Sequence, residues 1–171
     1  MPENKNQISL LIWMLEDLRK ITLEGVKHLN REQLFSEPIK GEASIGSYLM
    51  HLAEVDIYWL EVLSGIEQPN ELKVKCFYNK WYDSGDDFDP PKETLDINEY
   101  LNVNESTRKN FLDHVSSLEE IELEDKIIRK GKNKDFEISK KWIIYHIIEH
   151  EAHHRGQMFM LIRKAGWNKK Q

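Results

Sequence analysis

Four of the seven histidines in this chain fall within one stretch, Trp142 to Leu161, as His146, His150, His153 and His154. The stretch has no proline and a single glycine, Gly156. Ile143, Ile147, Met158 and Leu161 recur in it at helical spacings. At about 100° per residue, His150 and His154 lie on that same apolar stripe, within roughly 20° of Ile143, and His146 and His153 share one flank. A buried imidazole needs partners for its ring nitrogens, because burying a polar group unpaired costs about 1–3 kcal/mol. Two imidazoles one turn apart can share a partner, and a metal ion suits an i, i+4 pair on one helix face. The other reading of the same spacing is a polar network, with both histidines bonded to side chains of neighbouring helices.

Two histidines are not a complete metal site. A catalytic zinc-type centre has three protein ligands and an open position for water or substrate. His51 is the best third ligand, being the only histidine on the second expected helix and close to its inward face. His28 lies off the stripe near the end of the first helix, and His114 lies to the side of the third. Three neutral imidazoles would leave the ion its full charge, acidifying a bound water or holding a thiol as thiolate. The run His150-Glu151-Ala152-His153-His154 also fits the H-E-x-x-H pattern of zinc proteases. That reading is weak here. Glu151 points roughly 100° away from His150, Gly156 stands one place early for the metzincin extension, and Met160 occupies its last ligand position. Around the three histidines, Arg155 and Gln157 could orient substrate or satisfy bundle hydrogen bonds. Gly156 could admit a neighbouring helix, and Glu54 and Tyr58, at i+3 and i+7 from His51, could reach the rim. His146 and His153 remain open between supporting the ligands and lying at the surface.

Four helices are expected to carry these residues. Leu11, Leu15, Leu18, Thr22, Val26 and Leu29 give the first an inward stripe over Asn6 to Leu29, with Glu16, Asp17, Arg19 and Lys20 mostly off it. A connector from Arg31 to Gly41 is punctuated by Pro38. Ser44 caps the second helix, which runs to Ser64 before Gly65 and buries Tyr48, Leu52, Val55, Trp59 and Val62. Glu67 to Thr94 is a long connection; its Phe77, Tyr78, Trp81, Tyr82 and Phe88 are expected to cover one end of the domain or an oligomer contact. Its Asp83, Asp86, Asp87 and Asp89 do not make an EF-hand, because Thr94 stands where the bidentate Glu should be; a solvated turn ending at Pro90-Pro91 is the reading. Asp96 and Glu99 form a capping box opening the third helix, to Ser117. Asn104 and Arg108 interrupt its stripe, so they line a polar cavity or the stripe drifts to the surface. Lys126 to Arg129 and Phe136 to Ile138 flank Gly131-Lys-Asn-Lys as a short hairpin or irregular loop, and Ser139 caps the fourth helix. The expected architecture is an all-α four-helix bundle with long crossover connections, one domain over residues 1–171.

Composition narrows the function classes. With 40% hydrophobic and 32% charged residues, the chain suits a folded domain with a sizeable core. No apolar run spans a membrane and the start is not that of a signal peptide, so the cytoplasm is the expected location. One cysteine, Cys76, excludes an internal disulfide and a multi-cysteine zinc site. A net charge of −6 argues against nucleic acid as the partner, with Lys126 to Lys141 the best candidate for a local basic patch. A small-molecule substrate is the expected partner.

The second helix (Ile45-Gly-Ser-Tyr-Leu-Met-His51-Leu-Ala-Glu-Val-Asp-Ile-Tyr-Trp-Leu) and the fourth (His146-Ile-Ile-Glu-His150-Glu-Ala-His-His154-Arg-Gly-Gln157) together resemble the DinB/YfiT-like superfamily. The His-x-x-x-His-Arg-Gly-Gln ending is the most specific mark, and the likeness follows the helix order along nearly the whole chain. The resemblance implies a four-helix bundle, often a homodimer, with a metal held by one histidine of the second helix and two of the fourth. Carried over by position, these are His51, His150 and His154. It implies zinc or nickel as the ion, with iron or manganese in some relatives. It also implies chemistry on a low-molecular-weight thiol cosubstrate, as in bacillithiol S-transferases and mycothiol-dependent isomerases, or on water, as in a hydrolase. Many members of the superfamily have no known reaction, so a non-catalytic metal-binding or stress-response bundle is the competing reading.

Overall fold

The computed structural model describes residues 7–76, 95–129 and 134–168. Four long helices form the body: α1 (Gln7–Val26), α3 (Ile45–Ser64), α5 (Ile97–Ser116) and α6 (Lys140–Lys164). Two short helices, α2 (Arg31–Phe35) and α4 (Asn70–Lys75), lie in the first two crossovers. The third crossover holds a 3-10 turn, Glu120–Glu124, and an antiparallel hairpin of β1 (Lys126–Arg129) and β2 (Phe136–Ser139), with Ile127 opposite Ile138. α1 packs against α6 and α5, and α3 packs against the same two. No described helix is long and apolar enough to cross a membrane.

The starts of these elements follow from caps visible in the sequence. The Ser44 and Ser139 side chains accept from the backbone N–H groups of Ser47 and Trp142, and Asp96 with Glu99 forms the expected capping box. Gly65 closes α3 at φ 71°, in the left-handed region that a side chain disfavours. α1 stops at Val26, three residues short of the expected end. Asn30 and Gln33 form a second capping box that starts α2 there. The expected connector between Arg31 and Gly41 therefore contains a helical turn, which docks against α3 through Gly46. A Cβ at Gly46 would sit 2.7 Å from the Leu34 carbonyl oxygen, so only glycine permits that approach. The aromatic and acidic residues of the long connection, from Phe77 to Asp89, lie outside the described residues with Pro90, Pro91 and Thr94, as does most of the Gly131-Lys-Asn-Lys tip.

Two apolar clusters fill the bundle. One gathers Val26, Leu34, Ile45, Leu49, Met50, Tyr100 and Met158. The other gathers Leu15, Trp59, Phe111, Val115, Ile143 and Ile147. Between them, in the sequence of every long helix, comes a buried polar residue: Arg19 of α1, Asp56 of α3, Asn104, Thr107 and Arg108 of α5, and Glu151 of α6. The Arg19 guanidinium donates to Glu151 (Nε to Oε1, 3.0 Å), to Asp56 (Nη2 to Oδ2, 3.1 Å) and to the side-chain and backbone oxygens of Asn104. Arg108 donates to Asp56 (Nη2 to Oδ1, 2.9 Å) and to Glu151 (Nη2 to Oε2, 2.6 Å). Asn104 in turn donates to the Leu49 and Tyr100 carbonyls. The interruption of the α5 stripe is thus explained by burial in a polar layer. Arg19, expected off the inward face of α1, is only 4% exposed because its long side chain turns into that layer.

Two guanidiniums against two carboxylates balance in charge. Such a buried group adds little to stability over an apolar core, but deleting one partner strands the others, at about 3–5 kcal/mol. Glu151→Ala is therefore expected to lower the unfolding free energy by about that much. Urea denaturation followed by circular dichroism checks it, and a loss below about 1 kcal/mol would show that the layer is not the bundle's electrostatic core.

Candidate metal centre

The three histidines singled out by the helical spacing meet at the α3–α6 contact. His51 comes from the second turn of α3, and His150 and His154 from successive turns of α6. Nε2 of His150 lies 3.2 Å from Nε2 of His51 and 3.2 Å from Nε2 of His154. One ligand atom from each of the three lies within 4.8 Å of the other two. His51 and His154 are buried, at 3% and 7% exposure, and His150 is half-buried.

For His154 the outer nitrogen fixes which edge of the ring points inward. His154 Nδ1 lies 2.6 Å from Gln157 Oε1, an acceptor, so the proton sits on Nδ1 and Nε2 carries a bare lone pair. His51 Nδ1 lies 3.7 Å from Glu54 Oε2, beyond hydrogen-bond distance. His150 cannot donate its Nε2 proton fully to both neighbours, and its Nδ1 has no hydrogen-bond partner among the described residues. Three lone pairs directed at one another repel unless a cation or proton lies between them. A tetrahedral ion bonded at about 2.0–2.1 Å would space its nitrogens at roughly 3.3–3.4 Å. The two 3.2 Å separations fit that spacing, so the donor set suits a divalent ion held through Nε2 atoms.

Burial and its neighbours keep the His150 ring neutral, as a ligand must be. Burial pushes the His150 pKa down to about 3, and the neighbouring His154, His51, His146 and His153 add to the shift. Glu151, next in sequence, faces the other way. Burial alone would raise its pKa, but Arg19 and Arg108, with hydrogen bonds from Arg19 and Thr22, hold it below the ordinary carboxylate value. It is bound to two guanidiniums and stands apart from the histidines, so it cannot serve as the base of an H-E-x-x-H protease.

Over residues 1–171 the sequence matches the DinB family. The chain belongs to that family. Among solved structures, this DinB-family bundle is similar to a conserved protein from Enterococcus faecalis, at a TM-score of 0.72 and 12% identity, covering 95% of this chain and 99% of that one. It is similar to YfiT from Bacillus subtilis, described as a probable metal-dependent hydrolase with an unusual four-helix bundle topology. The TM-score there is 0.69 at 17% identity, over 98% of this chain and 94% of that one. A DinB-like protein from Bacillus cereus matches at 0.65 and 18%, over 91% of each chain. At such identities the likeness shows the fold. No curated protein matches.

The other candidates of this DinB-family chain fall into place around the cluster. Gln157 bonds His154, meeting the expectation that it would satisfy a hydrogen bond within the bundle, and Glu54 lies 3.7 Å from His51 Nδ1. Tyr58 lies further along α3 and accepts from Arg129 Nε at 2.8 Å. His146 is half-buried and stacks on Trp142, ring centroids 4.8 Å apart, with Trp59 edge-on to both. Its pKa is lowered, chiefly by burial, with Glu149 opposing and Arg129 adding. His153 is exposed. His28 bonds the Trp167 carbonyl, away from the cluster. Gly156 is exposed and its missing side chain faces open space, so it admits no neighbouring helix, contrary to expectation. Cys76 is buried.

The lowered His150 pKa has a definite sign in stability. An unfolded imidazole takes up a proton as pH falls through about 6.5. Folded His150 does so only near 3. Between those values the unfolded state binds more protons, so acid favours unfolding, by up to about 1.4 kcal/mol per pH unit. Metal-free protein should therefore lose melting temperature from pH 7 to pH 5, and His150→Gln should flatten that slope. Equal slopes in parent and variant would show that His150 titrates freely in the fold.

Proposed function

We propose that this chain is a single-domain, cytoplasmic metal-dependent enzyme in which His51, His150 and His154 hold one divalent ion, zinc or nickel before iron or manganese. The observation that carries the reading is the meeting of three Nε2 atoms, with the His154 ring oriented by Gln157. Bound there, a divalent ion would keep its charge against three neutral ligands and lower the pKa of a thiol or water taking an open position. The histidines set the geometry, and Gln157 fixes the tautomer of His154. The apolar residues of the α3–α6 contact limit water around the cluster.

The thiol is the preferred substrate group, in transfer or isomerisation chemistry of the bacillithiol kind. A thiol starts from a lower pKa than water and needs no separate base. Glu151 is bound to two arginines and Glu54 lies behind His51, so neither is placed for that task. Water activation, in line with what is described for YfiT, is the second reading. A metal needed only for folding is the non-catalytic alternative.

Elemental mass spectrometry on untagged protein tests the site. The parent should carry close to one equivalent of metal, His150→Ala should lose it, and Gln157→Leu should weaken binding by roughly 10–100-fold. A parent that takes up neither zinc nor nickel removes the metalloenzyme reading and leaves a polar histidine network. A metal that exchanges freely and binds small thiols supports the enzyme; one whose removal unfolds the chain supports the structural alternative. The expected homodimer belongs to the same reading. It is supported by exposed Leu10, Trp13, Trp142 and Tyr145 at one end of α1 and α6, and light scattering that returns the mass of one chain removes it.

A further inference from the structure

Side chains of α3 and α6 lead from the histidine cluster toward the hairpin. On α3 the sequence runs His51, Glu54, Tyr58 at helical spacing; on α6 it runs back from His150 through His146 to Trp142. The two lines close on Trp59, whose ring centroid lies 5.1 Å from that of His146 and 5.7 Å from that of Trp142. His146 is 5.6 Å from His150 by the same measure. At the far end stands Arg129, the last residue of β1.

Arg129 differs from its basic neighbours. Lys126 faces Glu137, Lys140 faces Glu122 and Asp125, and Lys141 faces Glu124. Among the described residues no carboxylate pairs with Arg129. Its Nε donates to the Tyr58 hydroxyl, and its guanidinium carbon lies 5.2 Å from the Trp59 ring centroid and 5.5 Å from that of Tyr58. Nε is thereby engaged and the guanidinium lies over two rings, while Nη1 and Nη2 of this exposed residue make no hydrogen bond among the described residues. A guanidinium fixed in this way offers a carboxylate two parallel donors with little freedom left to lose. A role confined to pinning the hairpin would be served by the stacking alone and does not call for a charge that has no carboxylate partner among the described residues.

We propose that Arg129 is the anion-recognising end of the substrate site, taking the carboxylate of a small molecule whose reacting end lies at the three histidines. Tyr58 and Trp59 position the guanidinium. Seven residues of α3 separate Tyr58 from His51, about 10 Å along the helix, so the substrate must be an extended molecule of roughly that scale. The inference rests on the metal reading only in placing the reacting end.

Cobalt-loaded full-length protein, titrated with mercaptohexanoate and with mercaptohexanol, tests it. The two thiols match in length and differ in the carboxylate, and coordination is read from the visible spectrum. The parent should bind mercaptohexanoate roughly tenfold more tightly. Arg129→Ala should lose that preference, and Arg129→Lys, which keeps the charge without the fork, should recover part of it. A parent with no preference, or an Arg129→Ala that keeps it, overturns the proposal. If the chain takes up no cobalt, the metal reading fails by itself, and calorimetry with succinate on the metal-free protein decides. Binding lost in Arg129→Ala sustains the anion site. Absent binding, or binding indifferent to that change, overturns it.

Discussion

The bundle depends on placing two guanidiniums and two carboxylates where water does not reach. Each ion alone would cost several kcal/mol to bury, so the four must arrive together and in register. Arg19, Asp56, Arg108 and Glu151 come one from each long helix. Their hydrogen bonds therefore fix the rotation and height of every helix against the others. Apolar packing tolerates small slides and rotations far better than a network of directed bonds between ions does.

The histidines inherit that precision. Glu151 is locked by Arg19 and Arg108, and the preceding residue is His150. Asp56 is locked in the same way, and His51 stands five residues before it on α3. The polar layer thus sets the phase of both helices that carry the cluster. A metal site would need its ligands held to within about half an ångström, and the two ion-paired carboxylates supply such a hold from within the core. The work of the fourth helix is divided between faces. One presents imidazoles to α3, and the other presents a carboxylate to α1 and α5.

Much of this was legible in the sequence. The four long helices, their caps at Ser44, Asp96 and Ser139, and the grouping of His51 with His150 and His154 follow from spacing and cap chemistry. Those signals are local, and helical periodicity carries them without knowledge of the partner. The polar layer was only half visible. Asn104 and Arg108 stood out as breaks in an apolar stripe, but nothing local distinguishes Arg19 or Glu151 from residues on a solvated face. Their burial is decided by what three other helices bring to the same point. The role of Arg129 was hidden for the same reason, since the hairpin reaches α3 only after the chain has folded back. Gly156 shows the opposite error. A glycine in a helix suggests a close approach, yet here it faces open space.

The sequence distances across the polar layer carry a consequence for how the chain folds. Arg19 and Glu151 are 132 residues apart, Arg19 and Asn104 are 85, and Arg108 and Asp56 are 52. No two or three helices can complete the network, so a partly assembled bundle must leave ions unpaired or keep that region hydrated. Intermediates that lack one helix are penalised, whichever helix it is. The chain should then pass between unfolded and native states with few populated species between them, although its long-range contacts slow the search. The same charges that hold the helices in register would make assembly all-or-none.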